Sequence, residues 1–316
     1  MGFIKQTCHT ALKPVRQAYG LLSENKRVQY IVCAALFAAM VAGPLFLGRY
    51  VIGVMWDAMF YMLLALGLNI IVGYCGLCDL GYAAKFAIGA YTTGICIQTF
   101  GLSFWLSLPV SVVMAIITAV LIGAPTLKLR SDYLAIVTLG FAEIVRITAR
   151  NLEITGKATG LHSIERPSLF GLQLTKTEHW YYVFLVLVVA FIFISYRIRN
   201  SRFGRALAYI REDEDAAQAM GVNTTRYKLY AYMIGAVLGG ITGSFYAVRM
   251  ASISPTTFDF NQSANILLAV ILGGMGKIPG VLAGAAFFAI FPELFRDIPV
   301  VGTCGCCSSA CCWSWS

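Results

Sequence analysis

Charge is what this sequence has least of. Aspartate, glutamate, lysine and arginine make up 12% of its 316 residues, about half the share of an ordinary soluble domain. So few charges cannot cover a soluble surface, which excludes a disordered chain and an ordinary cytosolic enzyme. Histidine is nearly absent. His9, His162 and His179 stand apart and outside the apolar runs, so they offer neither a metal box nor an evident general base. A P-loop is also lacking. The closest stretch to G-x-x-x-x-G-K-S/T has Ile271 at the first glycine position and Ile278 where Ser or Thr is needed. No nucleophile–base arrangement rises above chance. The chain is therefore expected to carry no cofactor, no metal and no ATPase site of its own.

What is present is apolar. Hydrophobic residues reach 59% and the mean hydropathy is +0.74. Apolar runs of about 20 residues can each cross a bilayer as a helix. Such runs fall at 28–47, 51–72, 80–100, 104–124, 133–149, 181–196 and 229–248. A last region, 264–294, is interrupted by Gly273, Gly274, Gly276, Pro279 and Gly280 and reads as two short helices or one broken helix. The expected fold is an all-α polytopic membrane bundle of about eight spans with broken or re-entrant helices, 80–100 being the first suspect for re-entry. Residues 1–27 read as a basic cytoplasmic segment, 28–297 as the transmembrane domain and 298–316 as an atypical Cys-rich tail. The first 27 residues have no clean signal-peptide core.

The formal net charge of +9 need not mean nucleic acid, and none is expected. Lys and Arg collect in cytoplasmic loops of membrane proteins. With the N-terminus inside, 1–27, the pair Lys128 and Arg130, and the loop 197–228 are all cytoplasmic, and they hold fourteen of the 24 basic residues. The long outer loop 151–179, counted with Arg150, has four basic residues and three acids. This parity agrees with the positive-inside rule. A bacterial inner membrane, multi-pass location in contact with lipid is the expectation.

Small residues mark two spans. Gly235, Gly239 and Gly243 repeat every four residues on one face, and Gly81, Ala83, Ala84, Ala87, Gly89, Ala90 and Gly94 crowd another. Such stripes let membrane helices approach closely. Polar groups inside spans are costly and mark functional candidates. Asp57, Asn69, Lys85, Glu143 and Arg146 qualify. Glu143 and Arg146, three apart, can pair on one helical face as a structural clasp. Lys85 follows the Gly/Cys-rich break 73–81 and is expected to snorkel or to face a water-filled cavity. Cys75 and Cys78 have C-x-x-C spacing without a second pair, which argues against a metal site.

The polar loop 201–223 is the most informative stretch. Phe203, Leu207 and Ile210 recur at helical spacing, so an amphipathic helix is expected. Acidic residues from Glu212 to Asp215 then open a second helix, and Gly221 closes it. The text from Asp215 to Gly221, D-A-A-Q-A-M-G, resembles the E-A-A-x-x-x-G loop of bacterial ABC importer permeases, with Asp for Glu. Three further stretches are similar to signatures of one family. They are G-L-C-D-L-G-Y-A-A-K-F-A-I-G-A-Y from Gly76, L-R-S-D-Y-L-A-I-V-T-L-G-F from Leu129 with Glu143 and Arg146, and I-L-G-G-M-G-K-I-P-G from Ile271. In this order, over about 28–297, they resemble permeases of the high-affinity branched-chain amino acid ABC transporters, the LivM-like branch.

The resemblance implies a second, related permease subunit, two cytoplasmic ATPase subunits, a periplasmic substrate-binding protein and an amino-acid substrate, Leu, Ile or Val. Asp215, Ala216, Ala217 and Gly221 would form the ATPase-coupling loop. Related permeases for urea or other small amides share much of this pattern. An ion-coupled secondary transporter would call for paired mid-membrane carboxylates and an inverted repeat; the charges here are scattered and no clear inverted repeat is seen. Two departures stand out. Lys85 replaces a residue that is usually apolar or aromatic in the family, and one more apolar span is expected after Arg296. From Val300 the composition changes abruptly to Cys, Ser and Trp. The last six residues, written TGC TGC TGG TCC TGG TCC, read Leu-Leu-Val-Leu-Val in the neighbouring frame. The tail is thus expected to be a frameshifted spanning helix.

Overall fold

The computed structural model describes residues 48–127, 131–164, 167–169, 172–173 and 177–295. The expected span 28–47, the basic segment 1–27 and the tail 298–316 lie outside the described residues. Contact density divides the chain into Met1–Ile52 and Gly53–Ser316. Of the first unit, only the opening turn of a helix is described.

Nearly everything else is helical. Helix α1 (Arg49–Asn69) runs directly into a π-turn, Ile70–Tyr74. After an irregular break come α2 (Tyr82–Gln98), α3 (Phe104–Thr126) and α4 (Ser131–Asn151). Three two-residue strands follow, β1 (Leu161–His162), β2 (Ser168–Leu169) and β3 (Leu172–Gln173). Next are α5 (Thr177–Asn200), the short α6 (Arg202–Glu212) and α7 (Glu214–Ala219), and the long α8 (Thr224–Met250). Strand β4 (Ser252–Ile253) and a 3-10 turn (Pro255–Phe258) lead to α9 (Phe260–Gly273) and α10 (Ile278–Phe295). Strand β1 pairs antiparallel with β4 through Leu161 and Ile253, and β2 with β3 through Leu169 and Leu172.

Four described helices are long and apolar enough to cross a membrane: Tyr50–Tyr74, Phe104–Thr126, Glu178–Asn200 and Thr224–Met250. Helices α9 and α10 are shorter apolar segments. The interrupted region 264–294 is therefore two helices, parted by a turn in which Gly274 and Gly276 take positive φ. Helix α2 has 17 residues and does not fold back. It runs alongside α8 in the same direction, with Lys85 beside Tyr232, Gly89 beside Gly240, and Gly94 beside Ile253.

Helices α2, α3 and α8 form the centre of the bundle. A Cβ on Gly89 would overlap the Gly240 backbone, and one on Gly243 would press into Phe86 and Ala90. These close approaches are what the small-residue stripes provide. At the same crossing the hydroxyls of Ser111 and Ser244 meet at 2.7 Å, both near the Gly89 carbonyl. Polar groups here are served inside the bundle, as apolar surroundings require. An aromatic cluster fills the space between α1, α2 and α8. Phe60, Phe86 and Tyr246 have ring centroids 5.0–5.4 Å apart, and Trp56 meets Phe184 of α5 at 5.1 Å.

Candidate functional site

Two places carry unusual chemistry: the α6–α7 pair and the polar groups within the spans. Ser201 begins α6 by accepting from the Gly204 amide at 3.1 Å, the usual service of a serine N-cap. Leu207 and Ile210 are buried and Arg202 and Arg205 are exposed, which is the amphipathic pattern the spacing predicts. Asp213 is the sole extended residue between α6 and α7. It caps α7 by accepting from the amides of Asp215 at 2.9 Å and Ala216 at 3.0 Å.

The far end of α7 is equally well defined. The Val222 amide donates to the Ala217 carbonyl at 3.1 Å and the Gly221 amide to Gln218 at 2.9 Å. These two bonds, with Gly221 at φ +83°, make a complete Schellman stop. Two side-chain contacts then tie α7 to the start of α8. Lys228 pairs with Glu214 at 2.5 Å, and Gln218 donates to Thr224 at 3.0 Å. Ala217 is buried beneath this joint, whereas Asp215, Ala216 and Gly221 are exposed. Met220 is 84% exposed, the most open of the large apolar side chains described. The sequence reading passed over it, although a methionine beside a helix stop in a polar loop was a visible signal.

Lys85 corrects an expectation. It neither snorkels nor faces a water-filled cavity. Its ammonium is fully buried, 2.5 Å from a carboxylate oxygen of Asp79 and 3.3 Å above the centre of the Tyr232 ring. Asp79 in turn accepts from the Gly81 amide at 3.0 Å. A cation kept from water needs a counter-charge, and an aromatic face adds further attraction. Asp79 escaped the sequence reading because it lies six residues from Lys85, across the break before α2. No helical spacing pairs the two.

Asn69, also buried, accepts from the Gly276 amide at 2.9 Å, joining the end of α1 to the turn before α10. Its side-chain nitrogen has no hydrogen-bond partner among the described residues. Glu143 and Arg146 do form the expected clasp on α4, through two hydrogen bonds, and both are partly exposed. Asp57 is exposed on α1, in the field of Glu293 and Arg249. The structure does not gather these five residues into one site. Asp57 and Asn69 lie on α1, Lys85 on α2, and Glu143 and Arg146 on α4.

Comparison with known proteins follows from this geometry. The sequence profile of the permease component of the branched-chain amino acid transport system matches residues 50–300. The chain is 40% identical over 293 residues to the high-affinity branched-chain amino acid transport system permease protein LivM of Escherichia coli strain K12, covering 85% of this chain and 69% of that one. The probable LivM of Methanocaldococcus jannaschii is 26% identical over 277 residues, covering 76% and 79%. The LivH permease of Escherichia coli strain K12 is 26% identical over 254 residues, covering 74% and 81%. No solved structure matches the chain. Four apolar spans, a buried charge pair and a capped polar helix pair between two long helices are thus set on a matching sequence: this chain belongs to the family of branched-chain amino acid transport permease components.

Proposed function

We propose that the chain is the membrane-spanning subunit of an ATP-driven importer of leucine, isoleucine or valine. It lies in a bacterial inner membrane with its N-terminus in the cytoplasm, residues 28–297 forming the transmembrane domain. It works beside a second, related permease, above two ATPase subunits, and receives substrate from a periplasmic binding protein. It has no ATPase site, and energy reaches it through α6–α7.

The observation that carries this reading is the construction of α7. A helix of six residues is too short to hold itself in water. Here it is capped at both ends and pinned to α8 by Lys228–Glu214 and Gln218–Thr224. A short helix made this stiff can be pushed as a body, with α8 moving along. Its open face presents Met220 and Ala216, an apolar patch suited to a groove on an ATPase. An ATPase that grips this face differently before and after hydrolysis shifts the permease between outward and inward access.

The test is uptake of labelled leucine by the reconstituted importer in proteoliposomes, with and without ATP. Uptake that needs ATP and the binding protein supports the reading. Uptake driven by an ion gradient alone would refute it, and transport of urea in place of leucine would change the substrate.

A further inference from the structure

The contact between α6 and the end of α1 is unlike the rest of the α6–α7 surroundings. Helix α1 finishes in a π-turn, a rare form that recurs at functional sites. Within it the Val72 carbonyl receives the amides of both Cys75 and Gly76. The Gly73 carbonyl receives a side chain instead. Arg211, in the last turn of α6, donates to it from its guanidinium at 2.6 Å, across 138 positions of sequence. A cation at a helix C-terminus also suits the dipole there.

The same arginine touches a third element. Its stem lies against Gly76, where an added Cβ would be 3.0 Å from its Cγ. Its guanidinium lies beside Gly276 in the turn between α9 and α10. That turn is itself bound to α1 through Asn69. Next to this junction is a cavity of about 500 Å³ lined by Tyr74, Arg199, Arg205 and Glu212 among others. Arg211 thus bridges a place that side chains do not fill. Only Glu212 and Asp213 separate this attachment from Glu214, through which α7 holds α8.

We propose that Arg211 is a positioning residue that latches α6 to the π-turn of α1 and to the α9–α10 turn. Through it a displacement of α6–α7 moves these elements as well as α8. This rests on the reading of α6–α7 as the element that receives force from the ATPase. Without the latch, the force would reach only α5 and α8, which the chain joins to α6–α7 on either side, and the π-turn of α1 and the α9–α10 turn would not move in step with them.

The experiment uses the whole importer in proteoliposomes, reading ATP hydrolysed per leucine transported. Loss of a hydrogen bond from a charged donor is large enough to shift a two-state balance about tenfold. Arg211→Met should raise the ATP-to-leucine ratio by about that factor, with subunit assembly and detergent melting temperature unchanged. Arg211→Lys, which keeps a charged donor, should recover part of the coupling. A ratio unchanged in Arg211→Met overturns the latch. Gly221→Val in the same preparation separates the two ideas. If it too leaves uptake and hydrolysis unchanged, the coupling role of α6–α7 itself fails; if it uncouples while Arg211→Met does not, only the latch fails. A second measurement leaves Arg211 intact. Spin labels at Tyr209→Cys on α6 and Met275→Cys in the α9–α10 turn should hold a constant separation through the ATP cycle. A separation that changes between nucleotide states overturns the latch even where Arg211→Met does not assemble.

Discussion

A buried charge is tolerated only with its partner, and Lys85 and Asp79 are each other's. Removing one strands the other in an apolar bundle, a loss of about 3–5 kcal/mol for a buried pair. Lys85→Met should therefore lower the detergent melting temperature sharply. The double variant Asp79→Asn with Lys85→Met should recover most of that loss. If the double variant is as unstable as the single, the pair is not what holds Lys85. Met220 invites a different test. It is 84% exposed among the described residues, so Met220→Ser should leave folding intact and weaken retention of the ATPase during purification. Retention equal to wild type would remove Met220 from the docking face. The lysine, the aspartate and the methionine were all visible as letters. Only Lys85 stands out by position, because a charge inside an apolar run is conspicuous and an aspartate in a Gly/Cys-rich break is not.

At the scale of the element, α6–α7 is specified locally to an unusual degree. The apolar spacing of Phe203, Leu207 and Ile210, the acidic opening at Glu214 and Asp215, and the glycine stop can all be read without a fold. A β-branched residue resists positive φ, and the left-handed region costs an ordinary residue roughly 1–2 kcal/mol. Gly221→Val should therefore loosen the end of α7, and ATP-dependent uptake should fall severalfold while membrane insertion stays normal. Unchanged uptake in vesicles would deny α7 a coupling role. The crossing of α2 with α8 gives a complementary case. Gly243→Leu would place a side chain in the Phe86–Ala90 backbone, so the bundle should be destabilised by several kcal/mol, the range of severe overpacking. A melting temperature within error of wild type would mean that α2 and α8 can part. The glycine repeat gave the packing face, but which helix it met was not readable, because a small-residue stripe is complementary to any other.

For the molecule as a whole, direction is the open quantity to measure. The parallel run of α2 and α8 fits a chain in which both ascend from the same side. With the N-terminus inside, a cysteine at Thr177 in a background cleared of the other cysteines should react with an impermeant thiol reagent from outside. One at Asn200 should not. Reversed labelling would invert the assignment and put α6–α7 on the wrong face for an ATPase.

Composition and periodicity alone determined that this is a helical membrane protein, because poverty of charge and long apolar runs leave no other solvent for the chain. They also determined most helix positions within a few residues, the interruption of 264–294, and the glycine stop after α7, since such stops act over three or four residues. Tertiary structure decided the rest. It gave Lys85 its counter-ion across a break, set Arg211 on the Gly73 carbonyl 138 positions away, and joined Asn69 to Gly276 across 207. Such contacts depend on how helices lie side by side. Sequence spacing records one helix's own turn, and it holds no measure of the distance to the next.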